Sequence, residues 1–299
     1  MSLTAVILTW NEEIHIQRCI NSLKSVCKDI FIIDSFSRDR TKEIAVSNGV
    51  HFFQREWTNH SDQFNWALDN LNIQTDWIIR LDADEYLTID LQDEIIQRID
   101  NISHTISGIE LSRKRIFLNK EIRWGGAEVK LLRIFRKGHA RVENKLMDEH
   151  IEILEGKTIC FDHKFVDHNL HSISSWIAKH NSYSDKEVIE LLNLKYSFLK
   201  NRNDIILGFE AKKKRRFKLR YSRLPLFFRA IFYFIYRYVF CLGFLDGKEG
   251  FLWHFFQGLW YRTLVDLKLL EISLTCGNDI IRIKKYLKEI LYADLDIDV

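Results

Sequence analysis

The sequence predicts an α/β layered fold whose first half is built on a parallel sheet. Three observations carry that expectation: short β-branched runs alternate with helical patterns, the runs are continuously apolar, and each closes in a polar cluster. Strand–helix alternation of this kind is the signature of an α/β fold. Leu3–Thr9 is followed by a helical pattern over Glu13–Ser25, and Asp29–Ser35 by one over Asp39–Asn48. His51–Glu56 is followed by a pattern over Ser61–Leu71, and a fourth strand covers Asp76–Leu81. Ala5-Val6-Ile7-Leu8 and Ile30-Phe31-Ile32-Ile33 show no polar alternation, as expected of strands covered by helices on both faces. Thr9–Glu12 and Asp34–Ser37 then fall at carboxyl ends of strands, where open α/β sheets bind ligands.

After Tyr86 the regularity weakens. A helix is expected over Asp90–Asp100, strand pieces over Ile109–Ser112 and Val129–Phe135, and a closing helix over Ile173–Leu199. The chain is expected to divide into a domain over residues 1–205 and a helical, basic and aromatic region over 206–299.

The 299 residues, 46% apolar and 28% charged, exclude disordered, collagen-like and coiled-coil classes. Five cysteines without a C-x-x-C pair argue against a zinc ribbon or a disulfide framework. The first residues lack a basic n-region and a small-residue cleavage site, so a reducing, cytosolic compartment is expected. A net charge of +3 conceals an uneven distribution: Lys212–Arg223 holds eight basic residues and no acid, and the other 36 basic residues face 41 acidic ones.

Neither G-x-G-x-x-G nor G-x-x-x-x-G-K-[ST] is present to hold phosphates. Asp82-Ala83-Asp84, directly after Trp77–Leu81, offers another device. Residues two apart in an extended segment point the same way, so both carboxylates can face one divalent cation that neutralises a diphosphate. Alone, such a pair reads equally as a solvated cap. Thr9, Asn11, Glu12, Asp34–Thr41, Gln63 and Asn65 add polar groups suited to a nucleoside, although Asp39 also reads as a helix N-terminal acid and Gln63 and Asn65 as ordinary helix surface. Arg80 can pair with Asp82 or approach a phosphate.

Val6–Glu13, Ile33–Thr41 and Asp82-Ala83-Asp84-Glu85, in that order and spacing, resemble the inverting glycosyltransferases of family 2, whose nucleotide-binding fold is called GT-A. The resemblance covers about residues 1–205 and implies roles residue by residue. Thr9, Asn11 and Glu12 would line the base and ribose pocket, Asp34 would accept from the pyrimidine ring, and Ser35 and Ser37 would sit beside it. Gln63 and Asn65 would extend that nucleotide pocket. Asp82 and Asp84 would flank the sugar nucleotide, with Asp84 most directly on Mn²⁺ or Mg²⁺. His163 would be a third metal ligand, as a histidine near this point is in some GT-A enzymes, although a lone histidine is commonly structural.

An inverting transfer is a single displacement that needs charge stabilisation on the leaving diphosphate and a general base for the acceptor hydroxyl. Leu146–His150 resembles the segment where many relatives carry a histidine–glutamate pair, which makes Glu149 the first choice of base and Asp148, standing where those relatives have histidine, the second. A solvated acidic turn is the bland alternative. The implied donor is a UDP-hexose and the acceptor a glycan or glycolipid. Two other classes compete: a non-catalytic GT-A-like scaffold of a polysaccharide assembly complex, and a glycoside hydrolase with two carboxylates.

Leu224–Leu245 has nine aromatics in twenty-two residues, and Arg229 and Arg237 within it disfavour a buried span. Helices lying in the headgroup region, beside the basic run, fit better than a span or a nucleic-acid patch. Leu242–Gly247 and Trp260-Tyr261-Arg262 resemble the tail of bacterial family 2 enzymes related to lipopolysaccharide core glucosyltransferases. Peripheral attachment to the cytoplasmic face of a bacterial inner membrane is therefore expected.

Overall fold

The computed structural model describes residues 2–143, 149–198, 221–222 and 224–290. The described residues fall into two compact units, one of residues 2–143 and 149–171, the other running from 172 to 290. The long helix expected near the end of the first domain packs within the second unit, and the boundary expected at 205 lies outside the described residues.

In the first unit the alternating half contains β1 (Leu3–Thr9), α1 (Ile16–Leu23), β2 (Asp29–Asp34), α2 (Thr41–Ser47), β3 (His51–Gln54), α3 (His60–Asn70) and β4 (Trp77–Asp82). β5 (Glu85–Leu87), α4 (Ile89–Arg98), β6 (Ile106–Phe117), β7 (Lys120–Ile122), β8 (Val129–Arg136), β9 (Ala140–Val142), β10 (Ile151–Ile153) and β11 (Lys157–His168) follow. Nine strands form one sheet in the order β3-β2-β1-β4-β8-β6-β11-β5, with β7 on β6, while β9 and β10 pair separately.

The strands β1 to β4 are mutually parallel, as their crossover helices require. The sheet as a whole is mixed. No helix separates β6 from β8, so the chain reverses in the plane and β8 enters antiparallel between β4 and β6. Successive side chains of β1 serve opposite faces: Leu3, Ala5 and Ile7 join Ile16, Ile20 and Leu23 of α1, whereas Val6 packs with Phe64 and Ala67 of α3. Both faces are dry, which explains the uninterrupted apolar runs. The register also aligns the carboxyl ends of β1, β2 and β4, pairing Thr9 with Asp34 and Leu8 with Asp82.

The second unit is helical: α5 (Ile173–Tyr196), α6 (Phe228–Ile235), a π-helical turn Tyr236–Phe240, a 3-10 turn Gly243–Asp246, α7 (Gly247–His254), a second π turn Phe255–Trp260, α8 (Tyr261–Cys276) and α9 (Ile280–Ile290). Ser172 caps α5 by accepting from Ser175 N, and Ser197 ends it in a left-handed conformation at φ 54°. Its core joins Val188, Ile189 and Leu192 of α5 to Val265 and Ile272 of α8 and Leu287 of α9.

Candidate active site

Asp34, at the end of β2, is fully buried. Its Oδ1 accepts from Thr9 Oγ1 at 3.0 Å and from the Ser37 hydroxyl, and its Oδ2 from Ser37 N at 2.8 Å and Gln54 Nε2 at 3.2 Å. Four donors fill the lone-pair sites of a carboxylate. The loop after β1 is fastened to the same place: Asn11 N donates to Ser37 Oγ at 2.7 Å, and Asn11 Oδ1 accepts from Arg38 N at 2.8 Å. Asn11 and Phe36 take left-handed backbone at φ 55° and 58°. Their neighbours turn outward, leaving Trp10 64% and Phe36 itself 54% exposed. Beside this loop lies a cavity of about 440 Å³, lined by Asn11, Glu13, Ile14, Arg38, Asp39 and His171.

Asp39 accepts from Glu13 N and Thr41 N, both at 3.0 Å, which is the helix-end role read for it from sequence. Gln63 is buried, with Oε1 accepting from Arg55 at 2.7 Å and Nε2 donating to Ser35 Oγ at 3.3 Å. Gln63 therefore stands behind Ser35 rather than on the surface.

The end of β4 is built differently. The Asp82 side chain is 41% exposed, yet Arg80 and His60 stand 3.9 and 3.8 Å from its Oδ1, and Arg133 of β8 stands 3.7 Å from its Oδ2. Burial by the surrounding protein pushes its carboxyl up, but Arg133, His60 and Arg80 outweigh this and hold it well below the usual carboxylate range. Below it Glu85 accepts from Asp82 N at 3.0 Å and pairs with Arg133. Burial, against the pull of Arg133, pushes the Glu85 carboxyl up to about 8. Glu149 acts electrostatically on Arg80, which brings it to this same charged group.

The segment after β11 completes the surroundings of Asp84. Asn169 Nδ2 donates to Asp84 Oδ2 at 3.0 Å, and His168 N to Asp84 O at 3.1 Å. α1 latches this segment from the other side. Arg18 donates to His168 O at 2.7 Å and to Asp84 O at 3.3 Å. His15, with no exposed surface, accepts from Leu170 N at 2.8 Å through Nε2. An imidazole that accepts at Nε2 carries its proton on Nδ1, and that nitrogen lies 2.6 Å from Glu12 Oε2. One histidine thereby ties the loop after β1 to the loop that orients Asp84.

The family described as Glycosyl transferase family 2 matches residues 4–150, the stretch that carries these strand ends. Residues 4–150 belong to glycosyltransferase family 2. A glycosyltransferase of Rickettsia bellii is 28% identical over 92% of this chain and 88% of its own length. The lipopolysaccharide core biosynthesis glycosyltransferase LpsC of Rhizobium meliloti is 28% identical over 48% of this chain and 54% of its own. A crystal structure of glucosyl-3-phosphoglycerate synthase from Mycobacterium tuberculosis overlaps 38% of this chain and 44% of that one, at 18% identity and a TM-score of 0.33. That overlap is too partial to assign a ligand.

Within this unit several of the expected site residues are tied to the protein itself. Asp34, with its four protein donors, organises the loop. Thr9, 4% exposed, is drawn into the same lock. Asn65 donates to Val142 O at 2.9 Å and accepts from Val142 N at 3.0 Å, so its amide pins β9 to α3. His163 sits where the register of β11 slips between Cys160 and Lys164. There Glu94 accepts from Asp162 N, from His163 N at 3.0 Å and from His163 Nδ1 at 3.0 Å, satisfying amides that the slip removes from the ladder. His163 is thus a bulge residue held by Glu94, whereas the residues around Asp84 come from the end of β11, at His168 and Asn169. Asp148 lies outside the described residues.

Asp82 and Asp84 fit a divalent cation. Both are hard oxygen donors, and Asp82 is held ionised and 41% exposed, with Arg133, His60 and Arg80 at 3.7–3.9 Å. Glu12, His15 and His171 also bring ligand atoms within 4.8 Å of one another, but His15 already uses both ring nitrogens. Glu12 and His15 are a hydrogen-bonded link between loops, with the His171 ring 3.9 Å from Glu12. Its signals in the sequence were a histidine three residues after Glu12 and the cluster His168–His171; for Arg133 the signal was an arginine inside the apolar run Leu131–Phe135.

Proposed function

We propose that this family 2 glycosyltransferase is inverting and metal-dependent, and moves a hexose from a UDP-sugar to a lipid-linked or polysaccharide acceptor in bacterial cell-surface glycan synthesis. The observation that carries the reading is the convergence at the end of β4: an ionised, accessible Asp82 beside Asp84, with Glu149 acting on the neighbouring Arg80. The name of the Rhizobium meliloti relative supports a lipopolysaccharide-type acceptor, and the bacterial source of the relatives supports the setting.

A divalent cation held by Asp84 and Asp82 would supply charge neutralisation of the departing diphosphate. The chain's own residues do the rest. Glu149 takes the proton of the attacking acceptor hydroxyl at a carboxylate oxygen. Arg80 and Arg133 give the cleft floor two buried cations that offset phosphate charge. Asn11, Glu12, Ser35 and Ser37 border the nucleotide end, where the cavity of about 440 Å³ has the size of a small-molecule site.

Calorimetric titration of UDP with and without Mn²⁺ tests the reading. The transferase requires nucleotide affinity that rises sharply with the cation; a scaffold or a hydrolase gives none, and equal affinity in both arms overturns it. Glu149→Gln is expected to fold and bind UDP with Mn²⁺ as before while turnover drops by about 10²–10⁴-fold. Unchanged turnover removes Glu149 as the base.

A further inference from the structure

The helix after Pro225 is amphipathic with its apolar side outward. Phe228, Ile231, Phe232, Ile235, Val239 and Phe240, spaced three and four apart along α6 and its π turn, form one stripe, and all are exposed. Phe228, Phe232 and Phe240 are 61%, 63% and 73% exposed. The charged residue of α6 faces in: Arg229, 2% exposed, pairs with Asp266 of α8, 1% exposed, and Arg229 Nε donates to Asp266 Oδ1 at 2.8 Å. A helix on the surface of a globular unit has the reverse arrangement. Arg229, which from sequence counts against contact with lipid, is therefore internal and neutralised, and leaves the outer stripe uncharged.

Leu242, Phe244 and Leu245 continue the exposed apolar surface past the turn. Charge decides what covers it. No acidic residue occurs from Leu224 to Leu245, the next one, Asp246, is 4% exposed, and the charged groups in and just after the stretch include Arg237 and Lys248, the latter 86% exposed and 3.6 Å from the mostly covered Glu249. In sequence the stretch is preceded by the eight basic residues of Lys212–Arg223. An apolar face bordered by cations complements a negatively charged lipid surface.

Length decides how it sits. No single helix among the described residues is long and apolar enough to cross a membrane; Phe228–Phe240 breaks and turns by 71° into Gly243–Cys276. At 1.5 Å per residue the first arm is about 20 Å long, short of a hydrocarbon core of about 30 Å. We propose that the α6 stripe lies flat in the headgroup–acyl boundary of an anionic bilayer, such as a cytoplasmic leaflet, and anchors the chain there without spanning it.

Co-sedimentation of the full chain with phosphatidylglycerol–phosphatidylcholine vesicles, against vesicles of phosphatidylcholine alone, tests this without any turnover. The expected result is sedimentation with the anionic vesicles, weakened about tenfold or more in Phe232→Ser/Phe240→Ser, two exposed phenylalanines whose loss removes buried apolar area only on the bilayer. Arg237→Gln/Lys248→Gln, which keeps the apolar stripe, is expected to weaken binding less and to narrow the gap between the two lipids. Circular dichroism and the thermal midpoint of the variants should match the parent chain. Equal sedimentation of parent and Phe232→Ser/Phe240→Ser, equal binding to both vesicle types, or a lipid-free dimer by light scattering that the serine variant splits, each overturns the proposal, the last by assigning the stripe to a second copy.

Discussion

Asp34 and Asp82 stand at the ends of strands on either side of β1, and the fold treats them in opposite ways. Asp34 has no exposed surface and four hydrogen-bond donors from its own chain. Asp82 is 41% exposed and has Arg133, His60 and Arg80 at 3.7–3.9 Å. The first carboxylate closes a loop; the second is kept ionised while its oxygens stay available. A residue type at a strand end therefore says where chemistry can occur, and the supply of local donors says whether it does.

The comparison breaks most sharply if turnover survives at the open end. Asp84→Ala and Asp82→Asn are each expected to lower turnover by about 10²–10³-fold, the size of a lost charge-stabilising group, read in an assay of nucleotide-sugar hydrolysis or transfer. Metal-stimulated activity retained in full by Asp84→Ala removes the cation site. At the closed end the same change has another readout. Asp34→Asn places an amide donor against the hydroxyl and amide donors of Thr9, Ser37 and Gln54, so unfolding free energy should fall by about 2–3 kcal/mol in denaturant titration. A change below about 0.5 kcal/mol shows that water replaces those partners readily.

Much of the fold was legible because β1, β2 and β4 are buried on both faces, and burial on both faces leaves an unmistakable apolar run. The antiparallel entry of β8 was not legible, since pairing partners depend on which edge a returning strand finds. Likewise Asp82, Asp84 and Glu149 could be named from motif order, but the burial of Asp34 depends on Gln54 and Ser37 arriving together from separate segments. Arg133 and Asn169 contact the two aspartates of the pair from 51 and 85 residues away in sequence. A register slip in β11, which no local pattern announces, turns His163 onto Glu94.

His15 sharpens the comparison because it joins the two ends. With Nδ1 toward Glu12 and Nε2 accepting from Leu170, it holds the loop carrying Asn169 against α1. His15→Ala is expected to weaken Mn²⁺ affinity, measured by titration in the presence of UDP, by about 10–100-fold, the usual size of a group that orients a ligand. His15→Gln, which can still accept from Leu170 N, should recover part of that loss. If both variants lose stability equally and bind the cation as the parent does, the link is a packing contact only.

The smallest effect is expected at His163. Its side chain is 48% exposed, and a side-chain pair at such a surface contributes about 0–1 kcal/mol. Glu94 keeps three backbone bonds to Asp162 and His163 after the ring is removed, so the bulge in β11 should persist. His163→Ala should therefore leave cation affinity and turnover within a factor of about two of the parent, a surface-substitution effect. A large loss of cation affinity in this variant would mean that β11 straightens when the nucleotide binds and delivers His163 to Asp84, and the open end of the sheet would then be assembled by the ligand rather than by the fold.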